Sequence, residues 1–86
     1  MIRIEFYEGA RQLAGVAFVE VEATTLAEAL LAAAAEHPAL TPRVIVGDRL
    51  TTHWRANHNG RAFLADSAAT LEAGDTLLIL SALAGG

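Results

Sequence analysis

The chain begins with a strict alternation of apolar and polar side chains. Ile2, Ile4 and Phe6 alternate with charged or polar neighbours, which is the period-two pattern of a strand with one buried face. A second strand is predicted over residues 16–22, where valines alternate with acidic residues. A short helical turn is predicted over residues 11–15, because the sequence breaks after the first strand and a glycine closes the segment. The N-terminal part is therefore expected to form a hairpin with an acidic outer edge.

An amphipathic helix is predicted to start at Thr25. The stretch Thr25-Leu-Ala-Glu28 fits a capping box, in which both polar side chains accept hydrogen bonds from otherwise free backbone N–H groups. The alanines of residues 32–35 have high helix propensity, and Pro38 and Pro42 are expected to end the helix. One helical face is apolar and consists of Leu26, Ala29, Leu30, Ala33 and Ala34.

The second half of the chain predicts further strands. Strands are expected over residues 43–46 and 52–58, and Asn59-Gly60 is a hairpin signal because both residues tolerate positive φ. A turn at residues 72–75 then leads into a final strand over residues 76–80. A hairpin, a helix and more strands in this order predict an α+β fold with the helix on one sheet face.

The final strand is predicted to have two different faces. Leu77 and Ile79 are predicted to point into the core, which would leave Leu78 and Leu80 on the open face of the sheet. Together with Leu83, these two leucines form a predicted partner-binding patch, because exposed apolar patches mark interaction surfaces. The alternative is a final strand that is buried on both faces.

Composition limits the class of protein. The 86 residues predict one domain, and the net charge is -4 with six basic residues, all arginine and not clustered. Nucleic acid is therefore not an expected partner. Cysteine is absent, which excludes disulfides, thiolate metal sites and thiol nucleophiles. A cytoplasmic protein without a membrane span is expected, since no signal-peptide pattern and no apolar run of roughly 20 residues occur.

The three histidines do not predict a metal site. His53 and His58 are five positions apart, so they would point to opposite faces of one strand, and His37 falls in the last turn of the helix. No arrangement of serine, histidine and aspartate predicts nucleophilic catalysis. Trp54 and Arg55 are candidates for partner contacts, with a packing role as the alternative for the tryptophan.

Four stretches of the chain resemble a known family. They are residues 2–7 with 10–15, residues 25–30, residues 57–60, and residues 70–86. The last stretch is the most specific, because it combines a Gly-Asp turn, an apolar strand and a final Gly-Gly. The chain is similar to the ubiquitin-like sulfur carriers of the molybdopterin-synthase small-subunit and thiamine-carrier (MoaD/ThiS) family. This resemblance implies one β-grasp domain over residues 1–86, with a mixed sheet of four to five strands on one main helix and a flexible tail over residues 81–86.

The resemblance also implies the chemistry of the C-terminus. An adenylating enzyme of the ubiquitin-activating type would place AMP from ATP on the carboxylate of Gly86, and sulfur would then replace the AMP to give a thiocarboxylate. No cofactor would be bound stably. Ala82, Leu83, Ala84 and Gly85 would form the slender segment that threads into the partner, because residues with small side chains fit a narrow channel.

The resemblance favours the small subunit of molybdopterin synthase, since thiamine-type carriers lack much of the segment over residues 39–58. The chain would not be an enzyme by itself but a cosubstrate of the large synthase subunit. The alternatives are a sulfur carrier for cysteine, thiazole or tungsten-cofactor synthesis, a protein modifier that Gly86 joins to target lysines, and a plain β-grasp binding module. The chain has no lysine, so copies linked through their own lysine side chains are excluded.

Overall fold

The computed structural model describes residues 1–82. The elements in chain order are β1 (Ile2–Phe6), α1 (Glu8–Ala14), β2 (Phe18–Val21), α2 (Leu26–Glu36), a 3-10 helix (Pro38–Leu40), β3 (Ile45–Val46), β4 (Arg49–Leu50), β5 (Trp54–His58), β6 (Ala62–Leu64) and β7 (Thr76–Ser81). Within this part of the chain, no helix is both long and apolar enough to cross a membrane.

Five of the strands form one mixed sheet in the order β2-β1-β7-β5-β6. The first and last strands, β1 and β7, pair in parallel at the centre, and the other pairs are antiparallel. β3 and β4 form a separate hairpin. With α2 packed across one face, this is the β-grasp arrangement, which confirms the predicted α+β fold.

The helix α2 starts where the capping box predicts. The Thr25 hydroxyl accepts a hydrogen bond from the Glu28 N–H at 3.2 Å. The Glu28 carboxylate accepts from the backbone N–H and the hydroxyl of Thr24, both at 2.8 Å. These bonds to Thr24 lower the pKa of Glu28. The helix ends at Glu36, two positions before Pro38, as predicted.

The core lies between the inner face of the sheet and α2. Leu77 and Ile79 of β7 are fully buried there, which confirms their predicted direction. Ala29 and Ala33 of α2 are also fully buried, and their small side chains let the helix lie close to the sheet. The same buried cluster also contains Ile2, Ile4, Phe6, Ala10, Ala14, Val19, Val21, Leu26, Leu30, Leu40, Val44, Ile45, Ala56 and Leu71.

The helix α1 is longer than predicted. It begins at Glu8 rather than at residue 11, so the break predicted after the first strand is wrong, because residues 8–10 are helical. Gly9 lies inside the helix, and a Cβ atom there would approach Cη2 of Trp54 to 3.1 Å. The glycine therefore serves the packing of a residue far along the chain, which local sequence does not reveal.

Trp54 has a packing role. Its Nε1 donates to the Arg43 carbonyl oxygen at 3.0 Å, and the Thr51 hydroxyl donates to the same oxygen at 3.0 Å. These bonds tie the start of β5 to the segment before β3. The strands in this region are shorter than predicted: Ile45–Val46 instead of residues 43–46, and Trp54–His58 instead of residues 52–58.

Candidate partner-binding face and polar clamp

The last strand lies at the centre of the sheet and remains paired to its end. Ser81 stands opposite Trp54 in the register of β5 and β7. The Ala82 N–H donates to the His53 carbonyl oxygen at 2.8 Å, so the described chain stays on the sheet through Ala82. The predicted reactive and threading residues that follow, Leu83, Ala84, Gly85 and Gly86, lie outside the described residues.

The open face of the sheet has a continuous row of side chains across all five strands. The strand registers place Phe18, Glu5, Leu78, Asn57 and Phe63 side by side in that order. The two phenylalanines at the ends of the row are 41% and 37% exposed. The face that lies away from α2 is therefore apolar at its edges and centre, with polar groups between.

Leu78 and Leu80 lie near the middle of this open face. They alternate with buried Leu77 and Ile79, and both are partly exposed. The final strand is thus fully buried on one face only, and the alternative of a strand buried on both faces does not hold. Leu83, the third predicted member of the patch, lies outside residues 1–82. Partner binding by these leucines stays a prediction.

Two arginine–phenylalanine stacks flank the leucines. The guanidinium carbon of Arg3 lies 3.6 Å from the centroid of the Phe18 ring, and that of Arg55 lies 3.7 Å from the centroid of the Phe63 ring. Each stack joins diagonal neighbours on adjacent strands, a distance that long side chains can span. The stack of Arg55 on Phe63 was missed in the sequence, because it depends on the register of two strands.

Asp75 is the centre of a polar clamp at the other end of β7. Its carboxylate accepts from the His58 Nε2 at 2.7 Å, the Asn59 Nδ2 at 3.1 Å and the Glu72 N–H at 2.9 Å. Asn59 Oδ1 in turn accepts from the Thr76 N–H at 2.8 Å. The Glu72 N–H, followed by the bonds from His58 and Asn59, lowers the pKa of Asp75 to about 2.

The clamp explains two of the sequence motifs structurally. The Asn59-Gly60 turn, with positive φ at both residues as predicted, and the Gly74-Asp75 turn are hydrogen-bonded to each other. Asp75 and Ser81 are six positions apart on an extended strand, which puts the clamp about 20 Å from the C-terminal end of β7. Among residues 1–82, no three histidine, cysteine or acidic side chains lie close enough to hold a metal ion. We therefore assign the clamp a role in joining the two turns.

Replacement of Asp75 by asparagine is expected to change the acid sensitivity of the fold. The pKa of Asp75 falls from its ordinary value of 3.8 to about 2 in the folded chain. The ionised carboxylate therefore stabilises the fold above the ordinary value, and this contribution disappears as the pH falls through about 2. Asp75→Asn should lower the free energy of unfolding near neutral pH and flatten its decline between about pH 5 and about pH 2.

Urea titrations followed by circular dichroism at several pH values measure this effect. Asp48→Asn is the matched control, because Asp48 lies on the β3–β4 turn and its nearest cation, Arg49, is 3.8 Å away and exposed. The assignment of the clamp is wrong if both variants show the same acid profile as the parent chain.

Comparison with known proteins gives structural relatives only. No family model and no curated protein matches the chain. The crystal structure of SAMP1 from Haloferax volcanii is 30% identical, with a TM-score of 0.81, over 99% of this chain and 98% of that one. The solution structure of small archaeal modifier protein 1 from Methanosarcina acetivorans is 21% identical, with a TM-score of 0.80, over 99% and 95% of the chains.

A chain in the crystal structure of the Amycolatopsis orientalis BexX/CysO complex is similar as well. It is 23% identical, with a TM-score of 0.80 over the full length of both chains. The relatives below 25% identity support the fold alone. The Haloferax relative supports more, because its 30% identity extends over nearly the whole of both chains. On the strength of this relative, the shared β-grasp fold and the motifs at the two clamped turns, the chain belongs to the ubiquitin-like sulfur-carrier family of the MoaD/ThiS type.

Proposed function

We propose that the chain carries sulfur as a thiocarboxylate on Gly86 and delivers it to molybdopterin synthesis as the small subunit of molybdopterin synthase. The main support is the position of β7. It lies between β1 and β5, stays paired through Ala82, and is followed by the sequence Leu-Ala-Gly-Gly. A fully extended chain spans at most about 3.6 Å per residue, so Gly86 reaches at most about 14 Å beyond Ala82.

The proposed reaction has two activation steps. A carboxylate oxygen of Gly86 attacks the α-phosphorus of ATP, and pyrophosphate leaves. Hydrosulfide then attacks the acyl carbon, and AMP departs with that oxygen, which leaves a thiocarboxylate. The thiocarboxylate sulfur next attacks a carbon of the pterin precursor and displaces an oxygen leaving group, which gives a thioester between Gly86 and the precursor. Water hydrolyses the acyl–sulfur bond, so the sulfur stays on the precursor and the Gly86 carboxylate is restored. Because Gly85 and Gly86 have no side chains, the backbone can approach the reacting phosphate closely.

In this role the chain supplies no acid or base and acts as a cosubstrate and subunit. Its proposed partners are an adenylating enzyme of the ubiquitin-activating type and the large subunit of the synthase. The partly exposed Leu78 and Leu80 are proposed to dock against both partners in turn. Their central position on the open face would hold the end of β7 in one orientation while the reaction proceeds.

The segment over residues 39–58 supports the synthase subunit over a thiamine-type carrier. It is structured, with the end of the 3-10 helix, the β3–β4 hairpin and all of β5. The hydrogen bonds of Trp54 and Thr51 to the Arg43 carbonyl hold this segment together. The segment is therefore an ordered part of the fold. Thiamine-type carriers lack much of it, so its presence favours the synthase subunit.

A protein modifier is the second candidate, because the structure with 30% identity belongs to a protein named as a small archaeal modifier. In that role the activated acyl group of Gly86 would pass to a lysine amine of a target protein. The remaining alternatives, sulfur delivery to cysteine, thiazole or tungsten-cofactor synthesis, use the same thiocarboxylate and differ only in the enzyme that accepts the sulfur.

Mass spectrometry of the protein from its native host tests these roles. We expect a fraction of the intact chain to be heavier by the difference between one sulfur and one oxygen atom, with the change on Gly86. We also expect the large synthase subunit to be recovered with the chain. Branched peptides that join Gly86 to target lysines, without any thiocarboxylate, would replace the carrier by the modifier. Recovery of a cysteine-synthase-like enzyme instead would change the destination of the sulfur.

A further inference from the structure

Arg55 is a fixed guanidinium without an anionic partner. Its side chain lies on the open face of β5 and stacks on the Phe63 ring of β6 at 3.7 Å. Within residues 1–82, no carboxylate oxygen lies within 4.0 Å of its nitrogens. No hydrogen bond between these residues uses the Arg55 side chain either. Stacking leaves the edge of the guanidinium plane, where its N–H donors point, open for an acceptor.

Arg3, the other stacked arginine, is in a different electrostatic state. It stacks on Phe18 at nearly the same distance, but its Nε also donates to the Glu5 carboxylate at 2.7 Å. On the β1 half of the open face, the charge of Arg3 is therefore neutralised by Glu5. Arg55 on the β5 half is stacked to the same degree and has no such carboxylate. Arg55 is therefore able to bind a carboxylate from outside this part of the chain.

Asn57 is a second unsatisfied group on the same half of the face. Its Oδ1 atom is buried and has no hydrogen-bond partner within the described residues. Asn57 lies between Leu78 and Phe63 in the side-chain row, and Leu80 stands directly opposite Arg55 in the strand register. Two polar groups that lack partners thus lie beside the two partly exposed leucines.

We propose that Arg55 binds a carboxylate side chain of the adenylating enzyme, next to an apolar contact of that enzyme with Leu78 and Leu80. This inference rests on the proposed function and names the charge that the partner must present. A guanidinium plane matches a carboxylate with two parallel hydrogen bonds. The stack on Phe63 holds that plane in place before binding, so less side-chain entropy is lost. The neighbouring leucines exclude water from the pair.

An aspartate or glutamate fits this position better than a polyanion. The chain has a net charge of -4, so a nucleic acid would be repelled by the rest of the surface. A single carboxylate opposite a single guanidinium meets much less of that repulsion than a polyanion does.

Steady-state kinetics of AMP transfer by the adenylating enzyme of the same host tests the proposal. The full chain is varied as the substrate, and pyrophosphate release is followed. Arg55→Ala should raise the KM for the carrier about tenfold with kcat unchanged, because the pair acts in docking and not at the acyl carbon. Arg55→Glu should raise KM further through repulsion. The KM of the parent chain should rise with salt more steeply than that of Arg55→Ala.

Arg61→Ala is the matched control, since Arg61 is an exposed arginine on the Asn-Gly turn and its loss changes the net charge equally. Its KM should stay close to that of the parent chain. Circular dichroism and urea unfolding establish that each variant is folded. The proposal is overturned if Arg55→Ala and Arg61→Ala have the same KM. A parent chain that accepts no AMP at all would instead overturn the proposed function, and this inference with it.

Discussion

Removal of Gly85 and Gly86 is expected to abolish AMP and sulfur loading of the chain while its fold stays intact. The reacting carboxylate would then belong to Ala84 and would end two residues short of its proposed position. A misplacement of about 1 Å at a reacting centre can cost about 100-fold in rate, and two residues shorten the chain by about 7 Å. Loading should therefore fall below detection.

Removal of Gly85 and Gly86 should abolish loading without lowering the stability of the fold. The core cluster of the described chain runs from Ile2 to Ile79, so the truncated chain should keep its urea midpoint. Gly85→Val is the companion variant, because it preserves the length and the terminal carboxylate but adds a branched side chain to the threading segment. Intact-mass measurement after incubation with the adenylating enzyme and ATP gives the result. Normal loading of the truncated chain would refute the proposed role of Gly86.

Replacement of Leu77 by alanine is expected to lower stability, whereas replacement of Leu78 by alanine is expected to weaken partner binding. Leu77 is fully buried, whereas its neighbour Leu78 is partly exposed on the open face. Leu77→Ala should lower the free energy of unfolding by about 2–5 kcal/mol, because it removes a buried side chain and leaves a cavity. This is a large share of the total for a small domain, which is about 5–15 kcal/mol.

Leu78→Ala should cost less than about 1 kcal/mol in stability but should weaken partner binding by about 1 kcal/mol or more. The two variants carry the same chemical change on adjacent residues of one strand, so each serves as the control for the other. Urea unfolding gives the stability, and titration calorimetry with the adenylating enzyme gives the affinity. Equal losses of stability in both variants would contradict the assignment of the two faces.

Local patterns were sufficient where one segment determines its own structure. The alternation in β1 and β7 identified the buried face, and the capping box located the start of α2 at Thr25. The Asn59-Gly60 pair identified its hairpin because the requirement for positive φ is a property of those two residues. Each of these signals lies within a few positions of the feature that it predicts.

The features that sequence reasoning missed all depend on contacts between distant segments. Gly9 inside α1 leaves room for the ring of Trp54, which lies 45 positions further along the chain. The Asp75 clamp needs two separate turns to meet at one end of the sheet. The stack of Arg55 on Phe63 needs the exact pairing of β5 with β6, which shifts every side-chain neighbour if it slips by one residue.

The central position of β7 has a mechanical consequence. A partner that pulls on the C-terminus would load β7 along its own axis, between two neighbours that are hydrogen-bonded to it on both sides. The hydrogen bonds to β1 and β5 would then share the force in shear and would have to break together, whereas a strand at the sheet edge could peel away one bond at a time. We expect the body of the carrier to withstand repeated capture and release of its end.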